Sequence, residues 1–180
     1  MFGTILGSFV LVANVAAWAG GLSVSAGQMR EPRLMHLPAF TVIGFAGRTT
    51  NAAEAAGKSV IGPTTGRFMS EGAKIPGVVD KNTSYAVYTS YESDFNGAYD
   101  YVRGYAVKQG TSAPDGMRSV SIPAANYLVF DAPGSSMQDV ISTWSRIWKY
   151  FSGSAPKQRA YTADFEKYGE DGLKVYIAVK

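Results

Sequence analysis

The sequence predicts an α+β fold: two βαββ units forming a curved antiparallel sheet, with helices on one side and a ligand cleft between the halves. Three observations carry this reading. LPAFTVIGFAG (37–47) and IPAANYLVFDAPG (122–134) open with the same aliphatic-Pro-Ala entry and continue as strand-like runs. YTSYE (88–92) is echoed by YTADFE (161–166), and YAVK (105–108) by YIAVK (176–180). In the second copy one helical stretch, MQDVISTWSRIWKYF (137–151), stands between the first strand and the last two. A duplicated unit of this kind places its helices on one sheet face and leaves a cleft at the seam.

The repeats cover about 37–108 and 117–180, joined by QGTSAPDG (109–116), inside a domain of residues 29–180. In the first unit Asn51 and Glu54 have capping-box spacing, but Gly57, Gly62 and Pro63 interrupt the segment beyond them. The expected helix there runs from Pro63, a residue favoured at a first helical position, to Glu71. IPGVVDKN (75–82) reads as a loop. SYAVYTSYESD (84–94) and GAYDYVRGYAVK (97–108) read as strands paired through an Asn96-Gly97 hairpin turn. The second unit holds the best-defined element. Met137, Val140, Ile141, Trp144, Ile147, Trp148 and Phe151 keep helical spacing, Ser136 and Asp139 form a capping signal, and Gly153 stops the helix. RAYTADFEKY (159–168) and GLKVYIAVK (172–180) then pair through Glu170-Asp171-Gly172.

Composition narrows the function classes. A chain of 180 residues fits one domain with a sizeable core. It is 46% hydrophobic and 13% aromatic, which suits an apolar pocket as well as a plain core. The net charge is only +3 and no Lys/Arg stripe occurs, so a nucleic-acid partner is not indicated. With no cysteine and the single histidine His36, disulfides, cysteine nucleophiles and metal sites needing two imidazoles are excluded. GPTTGR (62–67) lacks the Lys-Ser/Thr pair and spacing of a phosphate loop. No cofactor is indicated. Residues 1–28 carry no charge and are long enough to cross a bilayer. They read as a secretory signal, a membrane anchor or a mis-called start upstream of Met29 or Met35. A start at either methionine implies a cytoplasmic protein. A genuine signal or anchor implies a secreted, periplasmic or membrane-attached one, with membrane contact through that segment alone.

The chain resembles the GyrI-like effector-binding domains, and within that group the integron-cassette effector-binding proteins. The resemblance rests on RTTNAAE (48–54), YAVYTSYESDFNGAY (85–99), GMRSVSIPAANYLVF (116–130), STWSRIWKYF (142–151) and RAYTADFEKY (159–168). It implies the duplicated βαββ fold and a cleft that receives lipophilic, often cationic, small molecules. It also implies that the carboxylate of the DFE-x-Y stretch, Glu166 here, lies at the cleft floor.

Alternation along a strand puts Asp164, Glu166 and Tyr168 on one face, so Glu166 is the first candidate for the site. Glu92 is its expected counterpart in the first half, with Arg48 or Arg103 as its alternative ion-pair partners. Tyr88, Tyr91, Tyr161, Tyr168 and Phe165 are the candidate aromatic walls; Trp144 and Trp148, on the helix's apolar stripe, read first as core, with Trp144 also a candidate at the rim. Asp94 and Asp164 are expected to cap or turn the chain, and Arg48, Asn51 and Glu54 to serve strand-end and helix-start chemistry. The function expected is a stand-alone module that captures lipophilic, cationic small molecules through charge pairing and ring stacking. Two alternatives use the same fold: a GyrI-like hydrolase of electrophilic small molecules with Glu166 as general base, and a modulator that binds a protein partner such as gyrase. Oligomeric state is left open by the sequence.

Overall fold

The computed structural model describes residues 30–153 and 155–180, so the apolar segment 1–28 lies outside the described residues. Eight strands form one antiparallel sheet in the order β1-β6-β8-β7-β3-β4-β2-β5. They span Arg33–Leu37 (β1), Phe40–Thr49 (β2), Ser84–Thr89 (β3), Tyr99–Val107 (β4), Arg118–Ile122 (β5), Ala125–Asp131 (β6), Ala163–Gly169 (β7) and Gly172–Val179 (β8). The helices are Asn51–Ala55 (α1), Ile61–Glu71 (α2) and Met137–Ser152 (α3).

The connections dictate the sheet's shape. β1 and β2 are six places apart in the sheet order, yet only Pro38 and Ala39 join them. A flat sheet would hold them roughly 29 Å apart, at about 4.8 Å per step, whereas a link of two residues reaches about 10 Å. The sheet must therefore curl until its two ends approach. Pro123 and Ala124 impose the same closure between β5 and β6, which are also six places apart. Each Pro-Ala entry is thus a crossing point between the ends of the sheet: β1 pairs with β6, and β5 with β2. The rings agree, because Phe40 on β2 lies 5.4 Å from Phe165 on β7 with two strands between them.

Curling gives the sheet two differently buried faces. The inner face closes on itself around Val42, Val87, Val102, Tyr127, Phe165 and Tyr176. The outer face takes the helices. Ile43, Phe45 and Val107 pack with Phe68 of α2, while Leu128, Phe130, Val175 and Ile177 pack with Ile147 of α3. Strands buried on both sides read as continuous apolar runs, and VYIAV at the end of β8 is such a run. The edge strands β1 and β5 are mostly exposed, and they escape the sequence reading, whose strand-like runs begin only at Leu37 and Ile122.

Gly44 and Gly104 face each other across β2 and β4. A Cβ at Gly104 would stand 2.1 Å from the Ile43 carbonyl oxygen, and one at Gly44 would stand 2.2 Å from that of Arg103. Both obstructions are backbone, which cannot swing aside as a side chain can. Gly104→Ala is therefore expected to cost about 3 kcal/mol, the upper end of the overpacking range. A urea denaturation midpoint no lower than wild type would show that the contact relaxes freely.

Local chemistry departs from expectation in two places. Thr50, not Asn51, caps α1, accepting from the Ala53 amide. Glu54 instead reaches forward, accepting from the Val60 amide at 2.8 Å and the Thr49 hydroxyl at 2.7 Å. It serves as the missing cap of α2, which starts at Ile61 rather than Pro63. Its carboxyl is held below the ordinary value: burial opposes this, and the Thr49, Val60 and Ser59 hydrogen bonds outweigh it. The expected Asn96-Gly97 hairpin is also replaced, since β3 ends at Thr89 and a loop of residues 90–98 intervenes. Ser90 opens that loop at φ 51°, left-handed for a residue with a side chain. By contrast α3 obeys its sequence signals, with Ser136 and Asp139 forming a complete capping box. No helix among the described residues is long and apolar enough to cross a membrane.

Candidate functional site

The site grows from the β7 pleat. Alternation puts Asp164, Glu166 and Tyr168 on the helix-bearing face, and pairing with β3 sets Ala86 opposite Glu166 and Tyr88 opposite Asp164. An alanine opposite Glu166 leaves room for the longer side chains around it. Tyr88 then reaches diagonally, and its hydroxyl donates to Glu166 Oε1 at 2.7 Å. From above, the indole N–H of Trp144 on α3 donates to the same oxygen at 2.6 Å. The Tyr168 hydroxyl donates to Oε2 at 2.5 Å. Glu166 is only 2% exposed, and among the described residues no Lys, Arg or His lies within ion-pair distance of it.

Aromatic rings enclose this carboxylate. Tyr88 meets Trp144 edge-on at 5.0 Å and Tyr101 at 5.4 Å. Tyr99 completes the cluster, with Ile61 at the start of α2 and Trp144 on α3 closing it from either side. Burial, then the Glu166 charge, pushes the Tyr88 hydroxyl well above the ordinary tyrosine value and Tyr101 up to about 12. Tyr168 is raised by the same two causes in the same order. All three are thus held as neutral hydroxyls at physiological pH, and those of Tyr88 and Tyr168 donate to Glu166.

Two residues away the chemistry differs. Asp164 is 0% exposed and carries its own counter-ion, accepting from Arg159 Nη2 at 2.5 Å. The Tyr91 hydroxyl and the Ala178 amide also donate to it, each at 2.8 Å. Asp164 is therefore a buried structural anchor tying β7 to β8 and to the β3–β4 loop, rather than the cap or turn former expected.

The structure thus gathers Glu166, Tyr88, Tyr168 and Trp144 and separates the other candidates from them. Tyr91 serves Asp164, although its ring touches the same aromatic cluster. Phe165 points to the inner face, stacked on Tyr176 at 4.6 Å. Glu92 lies beyond the end of β3, exposed, where its carboxylate closes the 90–98 loop by accepting from the Ala98 amide at 3.2 Å. It pairs with neither expected arginine: Arg48 bonds Asp100 at 3.1 Å. Tyr99 and Tyr101 on β4 are neighbours that sequence reasoning missed, and Arg103 on the same strand, expected beside Glu92, lies against Tyr168 instead. Their alternation toward the face of Tyr88 emerges only once the β3–β4 register is known. Two hollows of about 190 and 440 Å³ share Asp80, Thr83 and Lys167, and no residue of the Glu166 cluster lines either.

Known proteins share this outline. The family model described as integron-associated effector binding protein matches residues 33–179. An integron cassette protein from the mobile metagenome of Vibrio cholerae superimposes with a TM-score of 0.72 at 32% identity, covering 84% of this chain and 97% of the other. SAV2435, solved with tetraphenylphosphonium bound, shares the fold with a TM-score of 0.67 at 18% identity, over 84% of this chain and 94% of that one. Among sequence relatives, the transcriptional regulator BrlR of Pseudomonas aeruginosa is 28% identical over 138 residues. That match takes in 77% of this chain but only 48% of BrlR, so the chain spans about half of that regulator's length. The putative transcriptional regulator YobU of Bacillus subtilis is 24% identical over 171 residues, 82% of this chain and 96% of YobU. With the curled antiparallel sheet, its one-sided helices and the family match over almost the whole described chain, this protein belongs to the integron-associated effector binding proteins.

Proposed function

We propose that this effector-binding domain captures lipophilic cations, with Glu166 as the counter-charge and Tyr88, Tyr168 and Trp144 as the surrounding walls. The observation that carries the reading is the contrast between two buried carboxylates on one strand face. Asp164 has a guanidinium partner, whereas Glu166 is held only by neutral donors. A buried charge without a counter-ion is costly, and hydrogen bonds offset only part of that cost. A ligand cation supplies what is missing. At an effective dielectric of about 20 the pair is worth roughly 4 kcal/mol at 4 Å before desolvation. Each ring face against the cation adds about 0.5–2 kcal/mol.

Entry requires one of the three donors to yield. Trp144 is the natural one, because α3 carries it on an incompletely covered helix whose Ile141 and Trp148 remain exposed. Displacing that indole uncovers Glu166 while leaving the sheet intact. The fold shared with a protein that holds tetraphenylphosphonium, a delocalised lipophilic cation, supports the same ligand class. The mechanism is sequestration or sensing without bond chemistry.

The test is an anisotropy titration of rhodamine B ethyl ester, a permanent lipophilic cation, into wild type and Glu166→Gln. Saturable binding that weakens at least tenfold in the variant, about 1.4 kcal/mol, is the expected result. The amide still fills the space and accepts hydrogen bonds, so the variant should remain folded by circular dichroism. Equal affinity for both proteins would remove Glu166 from the role.

A further inference from the structure

Arg103 on β4 is a second buried charge on the face that holds Glu166, and capture of a simple cation gives it no role. It is 6% exposed. Its guanidinium lies 4.4 Å from the Tyr168 ring centroid and 4.8 Å from that of Phe68 on α2, sandwiched between the two rings. Among the described residues no carboxylate lies within ion-pair distance of it, and its buried Nη1 has no hydrogen-bond partner. Buried arginines normally satisfy their donors with a carboxylate or backbone carbonyls, and each orphaned donor carries a desolvation cost. The other buried arginine, Arg159, also leaves its Nε without a partner, but it holds a counter-ion in Asp164, which Arg103 lacks.

Tyr168 joins the two unpaired charges. Its hydroxyl donates to Glu166 and its ring face receives Arg103. The anion and the cation thus stand about one tyrosine apart on the same face, each without a salt-bridge partner. We propose that Arg103 is the acceptor-binding pole of the effector site, so that the preferred ligand is a lipophilic zwitterion or a cation bearing a carboxylate. This rests on the cation-binding reading of Glu166. The guanidinium fork presents paired N–H groups that match a carboxylate. A ligand so equipped satisfies both buried charges at once, whereas a simple cation satisfies only one. The requirement for two opposite charges at fixed separation makes the site selective within the broad class of lipophilic cations.

The matched probes are rhodamine B, which carries a free carboxylate, and its ethyl ester, which carries the cation alone. Wild type is expected to bind rhodamine B at least tenfold more tightly than the ester. In Arg103→Met, which keeps the bulk and removes the charge, that preference should disappear or invert, because the carboxylate then faces Glu166 without compensation. Arg103→Lys keeps a charge without the fork and should give an intermediate ratio, which serves if the methionine variant is unstable. The affinity ratio within one protein is the readout, so a general loss of binding does not imitate the effect. A wild type that prefers the ester, or a ratio unchanged in both variants, overturns the assignment of Arg103. If the ester's binding meanwhile depends on Glu166, the cation reading survives. If neither probe responds to Glu166→Gln, that reading fails and the role of Arg103 fails with it.

Discussion

Asp164→Ala is expected to destabilise the domain by about 3–5 kcal/mol, the cost of breaking a buried ion pair from one side. Alanine leaves the Arg159 guanidinium buried without its anion, and leaves the Tyr91 hydroxyl and the Ala178 amide without the carboxylate they share. Since Arg159 also sits over the Tyr161 ring at 4.5 Å, it is fixed in place and cannot swing to water without unstacking. Chemical denaturation should show a large drop in midpoint with an unchanged slope. The matching control is the double variant Asp164→Leu with Arg159→Met. Replacing both charges by apolar groups of similar size removes the unpaired ion and should restore part of the loss, while the Tyr91 hydroxyl and the Ala178 amide still lack an acceptor. A single-variant loss below about 1 kcal/mol, the scale of an exposed pair, would show that Arg159 finds solvent.

Asp164 also shows where sequence reasoning stops. Alternation places it beside Glu166 and Tyr168 without difficulty, because a strand's pleat is a local property. Its role is not local. Arg159 precedes it by five residues across a turn with Tyr161 at φ 52°, and Ala178 lies on the neighbouring strand β8. Neither relation has a signature in the linear sequence. Phe165 is the opposite case: the alternation that puts Glu166 in the site puts its neighbour on the other face, where Phe165 builds the inner core. For Glu92 a sequence echo misleads. YTSYE aligns with YTADFE by letter, but the chain leaves the strand at Ser90, so the first-half glutamate never reaches the face of the second.

The legible features have strong local causes. The cap and apolar stripe of α3 specify that helix and carry Trp144 to its position. The two Pro-Ala entries mark the duplication, although their meaning, the crossing between the ends of a curled sheet, appears only with the strand order. Arg103 is legible only as a possible partner for Glu92. Its true neighbours, Phe68 and Tyr168, come from a helix and from the second half of the chain, brought together by the β4-β3-β7 pairing.

Raising the pH from 10 toward 12 is expected to unfold the domain cooperatively, and its buried tyrosines, in the site and in the core, are the main cause. Burial first, then the Glu166 charge, lifts Tyr101 to about 12, and burial followed by the Asp164 charge does the same for Tyr127. Tyr88, Tyr91 and Tyr168 move in the same direction. In the unfolded chain these groups lose their protons near pH 10. Between the two values the folded state therefore binds more protons, and stability falls by about 1.36 kcal/mol per pH unit for each such tyrosine. Tyr101 and Tyr127 alone remove roughly 5 kcal/mol over two units, comparable to the whole stability of many domains. Stability is fully present below pH 10 and is lost as the pH climbs through the folded values. Tyrosinate absorbance should appear together with the loss of far-ultraviolet circular dichroism rather than ahead of it. A smooth titration near pH 10 with the dichroism unchanged would mean that the rings reach solvent within the folded protein. Glu166→Gln supplies an internal check. Removing the charge that helps raise Tyr88, Tyr101 and Tyr168 leaves burial as the main cause, so the variant's transition should move to higher pH. Asp164→Asn also relieves Tyr91 and Tyr127 of a charge, but it strands the Arg159 guanidinium, so its transition should move to lower pH and separate the two carboxylates by direction.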